Sequence, residues 1–192
     1  MTRFRSRHIL AAAAAVLALA TGACEPADNL LPPEFQVPLF EVESRGGNFL
    51  PGTQTAGYYV DAEGRVVRYN HNPTDEALGD SVLTPDQLQR KYATGRTVLK
   101  TLSPGEVSQR HQTVPAALAG PLAELKTVCA DAGVLKFSAW VHNNVDGKYH
   151  RVLLHQRGDV ATTRQTAAAR ALWQWLDELG EDNFTGCDPY AA

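Results

Sequence analysis

The stretch VLKFSAWVHNNVDGKYHRVLLHQ, residues 134–156, decides the fold of this chain. Apolar and polar residues alternate before the turn-forming letters NNVDG and again after them, which is typical of two half-buried strands joined as a hairpin. If Asp146 and Gly147 form a two-residue turn, Val141 faces Val152 across the hairpin. The pattern therefore predicts a β-hairpin in that register.

Two runs upstream also have the pattern of strands. The stretch TAGYYVDAEGRVVRYN, residues 55–70, contains two strand-like runs around DAEG, in which Asp61 and Gly64 supply the turn. A first strand is predicted to begin at Leu39, because apolar and acidic residues alternate in LFEVE. We therefore expect a second hairpin and a separate N-terminal strand.

Three stretches have helical spacing. Residues 83–102 open with Thr84 in the N-cap position of a capping box, and a helix is predicted across this stretch. A further apolar series over 118–128 has the same spacing, with its ordered part expected to start at the proline of position 121. The stretch 163–180 carries a single apolar stripe and ends at Gly180, as a closing helix does.

The order of these elements predicts the fold class. Strands, helices, strands and a final helix make an α+β domain. We expect a largely antiparallel sheet of two hairpins plus an N-terminal strand, packed on one face by about three helices.

The N-terminus has the layout of a secretory signal peptide. Arg3, Arg5 and Arg7 precede an uncharged run over 9–20. That run is shorter than the roughly 20 residues that a transmembrane helix needs. Export out of the cytoplasm is therefore expected.

The end of this leader resembles the lipobox of bacterial lipoproteins. Gly22 and Ala23 stand directly before Cys24, whose thiol would be linked to diacylglycerol and become the new N-terminus. Thr21 stands where that pattern most often has leucine, so ordinary cleavage near Ala23 stays open. The resemblance implies a protein held by lipid at the bacterial cell envelope, on the periplasmic or the surface side.

The leader divides the chain into three parts. Residues 1–23 form the predicted signal peptide, 24–38 a proline-rich flexible tether, and 39–192 a single α+β domain. Removal of 1–23 takes away three arginines and no acid, which changes the formal net charge from −3 to −6. An acidic chain without a basic run argues against nucleic acid as a partner.

Two cysteines remain once Cys24 is assigned to lipid. Cys129 and Cys187 are an even pair, and an oxidising compartment would join them in a disulfide. Two unpaired thiols are the alternative, because spacing alone does not prove pairing.

Catalytic signatures are missing from the sequence. It has no GxSxG elbow, no HExxH and no glycine-rich phosphate loop, so no catalytic residue and no cofactor is assigned. The alternative is an envelope hydrolase or metal-dependent enzyme that uses His142 and His155, which share one face in the predicted register, with His150 on the other. Histidines that face solvent or a partner are the favoured interpretation.

The order FEVESRGGNF, GYYVD, a helix, FSAWVHNNVDGKYHRVLL and a closing helix containing LWQWL resembles emfourin-type inhibitors, small bacterial proteins that block thermolysin-like metalloproteases. In that family a first strand leads into a glycine pair and an aromatic residue, a second strand carries Tyr and Asp, and a hairpin and a helix ending near Trp-Leu follow. The resemblance covers most of residues 39–179, and the chain departs from it in its leader, in Cys129 with its surrounding segment and in the tail cysteine. The matching positions are Arg45, Gly46, Gly47, Phe49, Tyr59, Asp61, Trp175 and Leu176.

A protein of this kind needs no catalytic residue, only a rigid exposed loop that fits an active-site cleft. The glycine-rich segment after the first strand is the candidate, because two glycines allow close backbone approach and two apolar side chains could fill subsites. The alternative is that these glycines only turn the chain between strands. The candidate residues are Arg45, Gly46, Gly47, Asn48, Phe49 and Leu50.

The sequence thus favours a noncatalytic envelope lipoprotein that acts as a binding module, and the resemblance to emfourin-type inhibitors implies that this module inhibits a protease. Its expected partners are the membrane, through the N-terminal lipid, and a protease or other envelope protein.

Overall fold

The computed structural model of the protein describes residues 37–45, 55–71, 81–126, 133–158 and 160–180. Within these ranges the chain forms nine strands and four helices. In chain order they are β1 (Pro38–Arg45), β2 (Thr55–Asp61), β3 (Arg65–His71), β4 (Val82–Leu83), α1 (Pro85–Lys91), β5 (Thr97–Thr101), α2 (Pro104–Gln112), α3 (Val114–Leu118), β6 (Leu122–Lys126), β7 (Val134–Asn143), β8 (Lys148–Gly158), β9 (Val160–Arg164) and α4 (Ala167–Leu179).

The strands of the described ranges form one sheet. Its order is β5-β3-β2-β1-β7-β8-β9-β6, and β4 pairs with β8 beside this path. All pairings within these ranges are antiparallel. The first strand of the described ranges, β1, lies inside the sheet, because it pairs with β2 on one side and β7 on the other. The prediction of an α+β fold with a largely antiparallel sheet is confirmed.

The turn between β7 and β8 is longer than predicted. Asn143 pairs with Lys148, so four residues separate the two strands. The side-chain Oδ1 of Asn143 accepts a hydrogen bond from the N–H of Val145 at 2.9 Å. The backbone carbonyl oxygen of Asn143 accepts one from the N–H of Gly147, also at 2.9 Å. Gly147 has a φ of +67°, which glycine adopts without steric cost. These local hydrogen bonds stabilise the wider turn over a two-residue one.

The wider turn changes the register of the hairpin. Val141 lies opposite His150, and the prediction that it faces Val152 is wrong. A bulge between Phe137 and Ser138 then changes the pairing by one residue, since Ser138 lies opposite Leu153 and Phe137 opposite His155. The bulge moves the far end of β8 relative to β7, which a pattern of alternating residues does not reveal.

The helix predicted over 83–102 is right only at its start. Thr84 caps α1, since its hydroxyl accepts the N–H of Gln87 at 3.2 Å and the Gln87 side chain accepts the N–H of Thr84 at 2.8 Å. The helix ends at Lys91, and Gly95 follows with a φ of +63°. The chain then continues as β5, because its backbone pairs with β3.

The helix predicted over 118–128 is wrong. Helix α3 already ends at Leu118, and the residues after Pro121, the expected start, form strand β6. This strand pairs with β9 along its whole length, from Leu122 opposite Arg164 to Lys126 opposite Val160. The partner strand, which the local spacing cannot show, decides the structure here.

The closing helix is confirmed. Thr166 is its N-cap and accepts the N–H of Ala169 at 3.0 Å, and Gly180 follows the last residue of α4. None of the helices in the described ranges combines the length and apolar character that crossing a bilayer requires.

The sheet carries a packed cluster on each of its faces, so the expectation that only one face is covered is wrong. Helices α2, α3 and α4 contribute to the larger cluster, in which Trp173 and Trp175 are both 6% exposed. On the other face α1 contributes to a smaller, aromatic cluster. Its buried members are Tyr59, Val67, Tyr69, Leu83, Leu88, Tyr92 and Trp140.

Candidate binding site at one end of the sheet

One end of the sheet collects the ends of five neighbouring strands. At this end Arg45 pairs with Thr55 and with Val134, Thr55 pairs with His71, and Val134 pairs with Gly158. We call it the Arg45 end of the sheet. The chain leaves β1 and enters β2 at directly opposed residues, so both ends of the segment 46–54 are fixed by strand pairing.

Of the predicted loop residues, the structure describes Arg45. Its side chain is 47% exposed, and its Nε lies 3.1 Å from Oε1 of Glu43, whose side chain is 2% exposed. The ion pair joins the half-exposed end of β1 to a buried carboxylate. Outside the described residues lie Gly46, Gly47, Asn48, Phe49 and Leu50.

Glu43 belongs to a set of four charged side chains between the sheet and α1, which we call the buried ion network. Lys91 Nζ lies 2.8 Å from Oε1 of Glu41 and 2.8 Å from Oε2 of Glu43. Arg151 Nη1 lies 2.9 Å from Oε2 of Glu43 and 3.5 Å from Oε2 of Glu41. The network holds two negative and two positive charges, and this pairing offsets the cost of removing each charge from water.

Aromatic side chains enclose this network. The Tyr69 hydroxyl donates a hydrogen bond to Oε1 of Glu41 at 2.6 Å. The indole N–H of Trp140 donates to the Tyr92 hydroxyl at 2.9 Å, and Lys91 Nζ lies 5.7 Å from the Trp140 ring centre. The buried polar atoms named here therefore have partners, as buried polar groups require.

Glu43 of this network and the two tyrosines that enclose it, Tyr69 and Tyr92, have shifted pKa values. Burial raises the pKa of Glu43, but the positive charges of Lys91 and Arg151 outweigh it and lower that pKa to about 2. Burial, reinforced by a neighbouring carboxylate, raises the pKa of Tyr69 and of Tyr92 well above 10. Groups with such pKa values hold β1 and α1 together and are not poised to transfer protons at pH 7.

Sequence reasoning missed the burial of Glu41 and Glu43. Their alternation with Phe40 and Val42 indicated a strand with one solvent-facing side, whereas both faces of β1 are covered. One sequence signal for a buried ion pair was present, because Arg151 is a charged residue inside a strand-like run. Identifying Glu41 and Glu43 as its partners requires the order of strands in the sheet.

The structure does not bring the two candidate histidines together. His142 is exposed, its Nδ1 lies 2.9 Å from Oδ1 of Asn144, and its ring contacts Tyr149 on the α1 face of the sheet. His155 is buried on the opposite face, where its ring stacks on Trp173 at 4.3 Å. The prediction that they share one face is wrong because the bulge between Phe137 and Ser138 places His155 opposite Phe137. The two-residue change at the turn would by itself have kept both histidines on one face. The described ranges contain no group of three or more His, Cys, Asp or Glu residues that could hold a metal ion.

The other positions that carry the resemblance support the fold. Tyr59 is buried in the aromatic cluster, and Asp61 accepts the backbone N–H of Arg65 at 2.9 Å in the turn after β2. Trp175 donates to Glu106 at 3.1 Å, and the carbonyl oxygen of Leu176 accepts the Tyr58 hydroxyl. These residues pack the sheet against its helices.

The predicted lipidation site and disulfide fall elsewhere in the chain. Cys24, Cys129 and Cys187 lie outside the described residues, as does the predicted signal peptide over 1–23. The pairing of the cysteines stays a prediction.

Comparison of the chain with protein-family models, with curated protein sequences and with solved structures finds no match.

Proposed function

We propose that the protein is a noncatalytic binding module, tethered by lipid at the bacterial cell envelope, that inhibits a thermolysin-like metalloprotease through residues 45–50. The observation that carries this proposal is the pairing of Arg45 with Thr55, which fixes the two ends of segment 46–54 at neighbouring positions on interior strands. The resemblance to emfourin-type inhibitors supplies the class of target.

The base of this segment is well anchored. Strands β1 and β2 each pair with a strand on both sides, so neither lies at an edge of the sheet. Arg45 is held by Glu43, which the buried ion network fixes in turn. A loop on an anchored base loses less conformational entropy on binding than a loop on mobile strands, and this favours affinity.

The chemistry of the segment suits a protease cleft. Gly46 and Gly47 carry no side chain that would keep the backbone away from the cleft. Phe49 and Leu50 would place apolar groups in substrate subsites, and the positive charge of Arg45 would lie at the rim. Inhibition of this kind requires no reaction on the inhibitor.

Titration of the purified protein against a thermolysin-like protease tests the proposal. We expect stoichiometric loss of peptide hydrolysis, and we expect Phe49→Ala to weaken inhibition at least about tenfold, as loss of an apolar anchor does. Val145→Ala is the matched control. Val145 is 95% exposed in the turn after β7, at the opposite end of that strand from Val134, so this variant should inhibit like the parent. Unchanged hydrolysis at micromolar excess of the protein would contradict the proposal.

Mass spectrometry of the protein isolated from its bacterial host tests the tether. We expect an N-terminal Cys24 carrying diacylglycerol, and no peptide from 1–23. An unmodified N-terminus with Arg3, Arg5 and Arg7 present would contradict export. The same sample, digested without reduction, should yield a linked peptide pair containing Cys129 and Cys187.

A further inference from the structure

A groove of about 390 Å³ lies where β9 runs into α4. It is at the opposite end of β9 from Val160, and therefore away from the Arg45 end of the sheet. Its volume falls within the roughly 300–1,000 Å³ that is usual for small-molecule sites. The residues that line it include Thr163, Arg164, Gln165, Thr166, Arg170 and Trp173.

The groove is positively charged. Two arginines line it, and none of its described lining residues is acidic. Arg164 is held by backbone carbonyl oxygens: its Nε donates to Leu153 at 3.1 Å and its Nη1 to Gly120 at 3.0 Å. Carbonyl dipoles orient the guanidinium but do not neutralise its full positive charge. The charge of Arg164 is thus fixed in place and available to an anion.

Arg170 supplies the second charge. It lies one turn into α4 and is exposed. Its backbone N–H donates to the carbonyl oxygen of Thr166 at 3.1 Å, but within the described part of the chain its side chain forms neither a hydrogen bond nor an ion pair. Its side chain can therefore turn toward a ligand without breaking a contact in the protein. A guanidinium binds a carboxylate or phosphate through two parallel hydrogen bonds.

The start of α4 does not by itself make this site. The Thr166 hydroxyl already accepts the N–H of Ala169 at 3.0 Å and donates to the carbonyl of Ala117 at 3.0 Å. The attraction for an anion comes from the arginines, and the groove offers apolar contact through Trp173 and Ala167. Trp173 is rigid, because its ring stacks on His155.

We propose that this groove binds a small phosphate ester, with the phosphate between Arg164 and Arg170 and an apolar group against Trp173. The site is separate from residues 45–50 and does not depend on protease inhibition. A free phosphate ester and a phospholipid head group share this chemistry.

Isothermal titration of the purified protein with phenyl phosphate tests the proposal, with benzyl alcohol as the uncharged probe. We expect saturable binding of phenyl phosphate alone, weakened at least about tenfold in Arg170→Gln, as loss of a charged hydrogen bond does. Arg90→Gln is the matched control, because Arg90 is an exposed arginine in the last turn of α1, on the other face of the sheet. This variant should bind like the parent.

Three outcomes would overturn the proposal: no saturable binding below about 10 mM, equal weakening by both substitutions, or equal binding of benzyl alcohol. Sedimentation with phosphatidylglycerol vesicles distinguishes the two sources of ligand. A lipid head group is identified as the ligand if the protein binds both phenyl phosphate and the vesicles, and if Arg170→Gln abolishes the vesicle binding. Phenyl phosphate binding without vesicle binding identifies a soluble ester. Circular dichroism should show both variants folded.

Discussion

The ammonium nitrogen of Lys91 lies 2.8 Å from a carboxylate oxygen of Glu43, and the two side chains are 0% and 2% exposed. Loss of one partner from such a pair leaves the other charge buried without compensation. We therefore expect Lys91→Met to lower the free energy of unfolding by about 3–5 kcal/mol, measured by urea denaturation.

Arg90→Met is the control for this substitution. Arg90 precedes Lys91 in α1 but is exposed, and surface substitutions of this kind change stability by less than about 0.5 kcal/mol. Similar effects of the two substitutions would show that the burial of Lys91 does not determine its contribution.

The lowered pKa of Glu43 predicts a loss of stability in acid. The pKa is about 2 in the folded protein against an ordinary value of 4.5. Because the folded pKa is the lower one, the stabilising contribution is complete above about pH 4.5 and is lost as the pH falls toward 2. We expect the parent to lose about 3 kcal/mol more than Glu43→Gln over this range, measured by urea denaturation at a series of pH values. Parallel pH profiles of the two proteins would contradict this.

The raised pKa values of Tyr69 and Tyr92 predict that these hydroxyls stay protonated in alkali until the protein unfolds. Ultraviolet titration should therefore show a step of tyrosine ionisation only at the unfolding transition. Tyr69→Phe should reduce that late step and leave the earlier, reversible ionisation unchanged. A reduced early step would mean that Tyr69 is accessible in the folded state.

Glycine is needed at two positions for two different reasons, and one substitution at each position tests them. A Cβ on Gly57 would lie 2.0 Å from the carbonyl oxygen of Val42 in the neighbouring strand, so Gly57→Ala should lower the free energy of unfolding by about 3 kcal/mol, the upper end of the usual cost of overpacking. A Cβ on Gly147 would meet no atom within 4 Å. Gly147→Ala should therefore lower the free energy of unfolding by only about 1 kcal/mol, which is the cost of placing alanine at the left-handed φ. Thermal unfolding of both variants measures the difference, and equal costs would contradict the close contact at Gly57.

The elements that local pattern alone determines were predictable. Both hairpins, the capping of α1 by Thr84 and the apolar stripe of α4 were visible because each depends on residues within a few positions of one another. Strands β5 and β6 were predicted as helix because their apolar spacing fits both structures. Their partners in β3 and β9 are 29 or more positions away in the sequence.

The candidate site was predictable only in part. The glycine-rich segment after β1 was visible in the sequence, but its position beside the ends of β3, β7 and β8 follows from strand order. The buried ion network was not predictable for the same reason, since Glu41 and Arg151 are 110 positions apart. The predicted register of the β7–β8 hairpin was wrong because side-chain hydrogen bonds of Asn143 and Asp146 favour a wider turn.

The interior position of β1 also fixes the order in which the molecule can be built. Its partner β7 is made after more than eighty further residues, and Arg151 follows β7. During synthesis the two glutamates of β1 have no complete set of counter-charges, so the native sheet cannot close on a nascent chain that stops before β8. The sheet therefore closes late in synthesis, once translation has passed β8 in the last third of the polypeptide.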